Sequence, residues 1–224
     1  MRNVRHNGSA GPLRFRWSPT MACLAGAVLI TGACWGARAD EPDAPARAHA
    51  EKMAVTVCGT CHGKDGNSIL PKFPRLAGQH ENYLVAQLKA FRAQSRGDPD
   101  AIGYMWGMAS ELDDATIAGL AAYYAAQKAR PSGRPGSPLI PSGRDIYEHG
   151  IPSEGVPACS ACHGPDAHGL QDFPRLAGQH AQYILKQLAS FQSNMRNVAI
   201  MHGVAQNLRL PAMQAVAAYL EAQP

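Results

Sequence analysis

Aromatic residues are scarce in this sequence (7%), charged ones modest (17%), and no apolar run is long enough to cross a bilayer. The apolar stretch from Met21 to Ile30 is about half the roughly 20 residues a spanning helix needs. Acidic residues are missing altogether from positions 1–39, which hold five arginines: Arg2, Arg5, Arg14, Arg16 and Arg38. Beyond position 39 there are 16 Lys and Arg against 17 Asp and Glu, so the formal charge of +4 for the whole chain becomes −1. A nucleic-acid binder needs a basic patch that survives this subtraction, and none does. An apolar content of 46% over 224 residues is that of a globular protein of one or two domains.

The missing acids and the short apolar run belong together. A basic stretch through Arg16, the apolar core, and then Ala37-Arg38-Ala39 form an export signal with a small-x-small cleavage site. The reading is a signal peptide over 1–39, cleaved before Asp40, and a periplasmic mature protein. An uncleaved anchor is less consistent with the site that directly follows the core. Thr31-Gly32-Ala33 before Cys34 is similar to a lipoprotein signal but lacks its large apolar residue three positions before the cysteine.

Export leaves four cysteines, and each pair is followed by histidine: Cys58-Gly59-Thr60-Cys61-His62 and Cys159-Ser160-Ala161-Cys162-His163. C-x-x-C-H is the attachment signature of c-type haem. Both thiols join the porphyrin vinyl groups, and the adjacent imidazole is placed to bind the iron. Three competing readings are weaker. Structural zinc would need four cysteines to converge from sites about 100 residues apart. A redox C-x-x-C belongs in a βαβ context, and no strand pattern precedes either pair. Plain disulfides leave the two histidines unexplained.

The chain is an internal duplication. Phe73-Pro74-Arg75-Leu76-Ala77-Gly78-Gln79-His80 recurs unchanged as Phe173 to His180, and the match extended to Phe91 and Phe191 has 12 identities in 19 positions. Two copies make a tandem of domains, not a solenoid. The Pro-, Gly- and Ser-rich stretch 128–141 reads as a linker between domains at 40–127 and 142–224. Both are expected to be all-α. Tyr83, Leu84, Gln87, Leu88 and Phe91 recur at helical steps within Gln79 to Gln94. Ile117, Leu120, Ala121 and Tyr124 do so behind the N-cap Asp113, and Met213, Val216, Ala217 and Leu220 behind Pro211. A further helix is expected from about Ala44 to Val57, leading into the first haem motif.

Register between the copies narrows the choice of sixth iron ligand. Aligned through their Ala-Ala-Tyr triplets, at an offset of 96, Met105 faces Met201, whereas Met108 faces Val204 and Met213 faces Ile117. Met195 has no methionine counterpart. The matched pair is expected in a loop before each final helix. His80 and His180 also match and would make bis-histidine irons, but they open a helix, where a capping or surface role suits them better. His149, His168 and His202 have no counterparts and read as solvent histidines. Two protein ligands per iron leave no open position, which favours electron transfer over catalysis. The loops between histidine and methionine are unequal, 43 positions against 38, so two distinct potentials are expected.

The tandem C-x-x-C-H lobes, the repeated Phe-Pro-Arg-Leu-Ala-Gly-Gln-His blocks and the methionine-then-helix endings resemble the dihaem cytochrome c4 family over about residues 44–223. The resemblance implies two class I cytochrome c domains related by a pseudo-twofold, each wrapped around one covalent haem. It implies His62 and His163 as proximal ligands, Met105 and Met201 as distal ones, and Pro74 and Pro174 as the prolines whose carbonyls accept the proximal imidazole N–H. It also implies a carrier, not an enzyme, sometimes peripherally membrane-associated, with redox protein partners. Those are a quinol-oxidising complex or dehydrogenase as donor and a terminal oxidase as acceptor. The competing functions are the cytochrome subunit of a periplasmic dehydrogenase and a dihaem peroxidase or thiosulfate-oxidising enzyme. Arg75 and Arg175, beside those prolines, are candidates for pairing with the haem propionates or for surface salt bridges.

Overall fold

The computed structural model describes residues 43–132, 136–170 and 172–224. The expected export signal, with Cys23 and Cys34, lies outside the described residues. Among these, the structure is helical, and the sole departure toward sheet is one isolated bridge between Ile151 and Val156.

Lobe 1 opens with α1 (Ala44–Met53), whose N-cap Asp43 accepts the amide of Ala46 at 2.9 Å and which has proline in its first turn. The expected end at Val57 is passed. The chain continues through a wider π-type turn (Ala54–Cys58) directly into α2 (Gly59–His62), so one helical path carries Cys58, Cys61 and His62. Then come α3 (Glu81–Arg92), a second π-type turn (Ala101–Met105), α4 (Trp106–Ala109) and α5 (Asp114–Ala125). Asp113 caps α5 as its position in the sequence suggests, accepting Thr116 N–H at 2.7 Å. The first and last helices cross closely because α5 has Gly119 at the contact, where a Cβ would lie 2.6 Å from that of Ala50. Ile117, Leu120, Ala121 and Tyr124 are all buried in this core with Leu84 and Phe91.

Lobe 2 repeats the plan with α6 (Ile140–His149), α7 (Ser160–His163), α8 (Ala181–Gln192), α9 (Ala199–Ala205) and α10 (Leu210–Glu221). Helix α6 begins at Ile140, inside the stretch read as linker. The close crossing is solved in mirror fashion. Here the glycine is on the first helix, Gly143, where a Cβ would sit 2.0 Å from the Ala215 carbonyl of α10. The entrance also differs, because α6 stops at Gly150 (φ 73°) and a 3-10 turn (Pro152–Glu154) intervenes before the haem motif. Met213, Val216, Ala217 and Leu220 are buried as their spacing suggests.

The lobes meet through reciprocal bonds that show the pseudo-twofold directly. Gln79 Nε2 donates to the Arg175 carbonyl and its Oε1 accepts Arg175 N–H, both at 2.9 Å. Gln179 makes the same two bonds to Arg75, also at 2.9 Å. Each glutamine is buried, so each pair satisfies backbone groups that would otherwise be desolvated and unpaired.

Candidate haem-binding sites

Each site starts from a single helical turn. The C-x-x-C spacing places both sulfurs beside one face of that turn, and the following histidine points into the lobe. His62 and His163 are buried, and their Nδ1 atoms donate to the carbonyls of Pro74 and Pro174 at 2.9 and 3.0 Å. That bond fixes ring orientation and leaves Nε2 as the free imidazole nitrogen, the arrangement of an oriented metal-binding histidine. Burial lowers the pKa of both imidazoles, and the proline carbonyls only partly oppose it, so the neutral, ligating form is favoured. Phe73 and Phe173 close on the rings edge-on, with centroids 6.1 and 6.0 Å away.

The proline loop is held by main-chain bonds. The Gly66 carbonyl accepts both Leu76 and Ala77 amides, and Gly78 N–H reaches the Tyr124 carbonyl on α5. In lobe 2, Ala167 and Leu220 take the same roles toward Leu176, Ala177 and Gly178. Burial raises the Cys58 pKa and pushes Cys159 up to about 11, whereas reactive C-x-x-C pairs have depressed values. The pairs do not converge: among the described residues no group of three or more His, Cys, Asp or Glu is gathered as a zinc site requires.

Met105 and Met201 are both partly buried and pack on their own lobe's core. They are not in loops: Met105 ends the π-type turn and Met201 lies in α9, segments too short to show periodicity. Next to them, Gly103, Gly107 and Gly203 face open space within 4 Å. Large apolar side chains are exposed in the same segments, including Ile102, Tyr104 and Met108 in lobe 1 and Val198 and Ile200 in lobe 2. Exposed apolar side chains of this kind suit contact with a porphyrin.

His80 and His180 stand at the N-cap positions of α3 and α8, as expected, but His180 departs from a surface role. Neither side chain caps its helix. His180 is 2% exposed and bonds the Ser68 carbonyl across the lobe interface at 2.8 Å, because the packed interface, not solvent, covers that helix start. His202 is also no solvent histidine: its Nδ1 donates to the Phe191 carbonyl at 2.9 Å. Arg75 and Arg175 lie at the interface as well. Arg75 donates to the Arg130 carbonyl at 2.5 Å and Arg175 to that of Pro224 at 2.7 Å.

A cluster that sequence reasoning missed occupies the other end of the interface. Arg96 (7% exposed) pairs with Asp98 at 2.7 Å and donates to Gln87 and Gln187, both at 2.8 Å. Arg196 (5% exposed) donates to Gln187, Tyr83 and Gln87, all at 2.8 Å, and its Nε is buried with no partner among the described residues. Two buried cations therefore share one carboxylate. Burial opposes the Arg96 charge, but Tyr183, Tyr83 and Asp98 outweigh it and hold its pKa above the ordinary value. Burial likewise opposes ionised Asp98, and Arg96 more than compensates, so its pKa is lowered. The surplus positive charge and orphaned N–H fit a group bearing carboxylates, as haem does. The signal was present: Tyr83, Gln87 and Arg96 all recur at an offset of 100, polar residues repeated on an otherwise apolar face.

Helical lobes with an oriented histidine behind paired cysteines define a c-type cytochrome with two haem c groups. The cytochrome c family model matches residues 48–127 and 143–223. Cytochrome c4 of Stutzerimonas stutzeri is 40% identical over 185 residues, 78% of this chain and 88% of that one. The solved structure of Acidithiobacillus ferrooxidans cytochrome c4 superposes with a TM-score of 0.71 at 43% identity, covering 74% of this chain and 98% of the other. A protein of Thiomonas intermedia named thiosulfate dehydrogenase electron acceptor is 38% identical over 192 residues, 81% of this chain and 85% of its own. This chain belongs to the dihaem cytochrome c4 family and is an electron carrier.

Proposed function

We propose that the protein is a periplasmic carrier that passes single electrons from a respiratory donor to an acceptor such as a terminal oxidase. Its proposed lobes, 40–127 and 142–224 joined by 128–141, each present a histidine and a methionine to one iron. His62 with Met105 serves the first, and His163 with Met201 the second. Cys58 and Cys61, and Cys159 and Cys162, supply the thioether sulfurs, while Pro74 and Pro174 orient the imidazoles. Bound haem supplies one-electron Fe(II)/Fe(III) chemistry. The protein's part is to keep both axial positions filled and the surroundings rigid, so that little rearranges on electron exchange.

The observation that carries this reading is the matched proximal geometry, His Nδ1 to proline carbonyl at 2.9 and 3.0 Å in the two lobes. The two proximal edges differ in charge: Lys72, stacked on Tyr104 at 4.4 Å, stands where the second copy has Asp172. Partners of different charge at the two lobes are favoured by that inversion. A stopped-flow experiment tests the function: the reduced protein should pass two electrons to a terminal oxidase preparation and be re-reduced by a quinol-oxidising complex. Failure with both would reject it.

A second reading is supported by the similarity to the Thiomonas intermedia protein. Here the chain would accept electrons from a periplasmic dehydrogenase acting on thiosulfate. Reduction by thiosulfate only when such a dehydrogenase is added would favour it, and turnover of thiosulfate by the chain alone would make it an enzyme.

A further inference from the structure

We propose that helix α8 of lobe 2 positions Met105 of lobe 1, while Met201 is positioned mainly from within its own lobe. The proposal rests on the reading of Met105 and Met201 as iron ligands.

The chain leading to Met105 is held by the opposite lobe at four of the five residues from 96 to 100. Arg96 donates to Gln187 Oε1 at 2.8 Å and to the Tyr183 hydroxyl at 3.3 Å. Gly97 N–H donates to the Met195 carbonyl at 3.2 Å. Asp98 accepts from Gln187 Nε2 at 3.1 Å, and Asp100 forms an ion pair with Lys186. Tyr183, Lys186 and Gln187 all lie on α8. The held segment then grips the ligand from both sides. Ile102 N–H donates to the Asp98 carbonyl at 3.0 Å and starts the turn that ends at Met105. Trp106, the next residue, returns its indole N–H to the Arg96 carbonyl at 2.8 Å.

Lobe 2 is built otherwise. Arg196 does cross to Tyr83 and Gln87, but Val198 replaces Asp98 at the matching position, and the chain turns at once into α9. His202, which stands where lobe 1 has Trp106, bonds the Phe191 carbonyl of its own lobe. Gln192 of α8 donates to the carbonyls of Ala205 and Leu208 at 3.1 and 2.8 Å, closing the far end of the Met201 segment onto the same helix, as Arg92 of α3 does to the Leu112 carbonyl at 2.6 Å in lobe 1, so the difference between the lobes rests on Asp98 and Asp100. A neutral thioether is a weak ligand, so its occupancy depends on how firmly the backbone presents it. Through Asp98 and Asp100, lobe docking therefore weighs more on the Met105–iron bond than on the Met201–iron bond.

The test uses the haem-loaded protein and imidazole as a competing ligand. Displacement of each methionine is followed by loss of its shifted methyl signal in the ferrous NMR spectrum, with signals assigned through Met105→Ala and Met201→Ala. In Lys186→Ala, imidazole should displace Met105 at about threefold lower concentration, and in Gln187→Ala at about tenfold lower. Met201 should stay within about twofold in Lys186→Ala, although Lys186 belongs to its own lobe. The charge swap Asp100→Lys with Lys186→Asp should restore the Met105 value, and Gln192→Ala should loosen Met201 alone. Equal loosening of both methionines, an effect of Lys186→Ala on Met201 only, or none on either would overturn the proposal. If Met105→Ala and Met201→Ala removed no methyl signal, the ligand assignment itself would fail, a distinct result.

Discussion

The two lobes agree around the histidine of each haem motif and diverge around the methionine proposed as its partner. Proximal histidine, proline carbonyl and phenylalanine repeat within about 0.1 Å, carried by the eight-residue block that recurs unchanged. Distal segments share only a methionine in register. One ends a π-type turn fastened across the interface, and the other lies in a helix fastened to its own lobe. Duplication has kept the groups that orient a covalently attached haem and freed the groups that adjust it. Unequal surroundings of Met105 and Met201 are the physical basis for expecting two potentials if both serve as iron ligands.

The largest difference to break is the single carboxylate of the interface cluster. Asp98→Asn leaves two buried guanidinium groups without a counter-charge and should cost about 3–5 kcal/mol, read from urea unfolding at neutral pH. The pH dependence has a definite sign. Arg96 holds the folded-state pKa of Asp98 below the ordinary carboxylate value. Its contribution is thus complete above the unfolded pKa of about 3.9 and lost as pH falls through the folded value. The acid limb of the stability curve should flatten in Asp98→Asn; an unchanged limb would remove Asp98 from that role.

Gln79→Ala and Gln179→Ala test the symmetric half of the comparison. Each strands two N–H groups and one carbonyl that are at least part-buried, so each should cost about 2–4 kcal/mol, and the two values should agree within about 0.5 kcal/mol. A clear inequality would show that the interface is less symmetric in energy than in geometry. Val198→Asp makes lobe 2 more like lobe 1. It places a carboxylate at the uncapped start of α9, two residues from Arg196, and should raise stability by about 1 kcal/mol in the same unfolding assay. The smallest effect concerns the turn beneath each proline loop. Ala167 holds a left-handed conformation (φ 59°) where lobe 1 has Gly66 (φ 74°). Ala167→Gly should gain up to about 1 kcal/mol in thermal unfolding, and Gly66→Ala should lose at least as much, its Cβ meeting the Ala77 nitrogen at 2.7 Å.

The sequence made the haem motifs and the long helices legible because each rests on local pattern. C-x-x-C-H is contiguous, and α3, α5, α8 and α10 are long enough to show their period. The Met105 and Met201 segments are too short to show one, which is why helical turns looked like loops. The entrance helix of lobe 1 ran on past Val57 because its π-type turn keeps the path helical without adding an apolar repeat. What stayed hidden was the interface. Tyr83 and Gln87 lie on a stripe that reads as one core-facing surface, yet they serve the neighbouring lobe, and His180 is buried by residues far away in the sequence. Single-chain periodicity marks a buried face but not what buries it. Matched polar residues in the two copies were the available clue.

The most direct test of two methionine-ligated, unequal centres is a potentiometric titration of the haem-loaded protein, following the far-red sulfur-to-iron band of the ferric form. Two resolved midpoints are expected. Met105→Ala and Met201→Ala should each remove about half of the band and lower one midpoint by on the order of 0.1 V, a fraction of the roughly 0.8 V that axial ligands span. A single midpoint for both irons, or a band untouched by either substitution, would contradict the account.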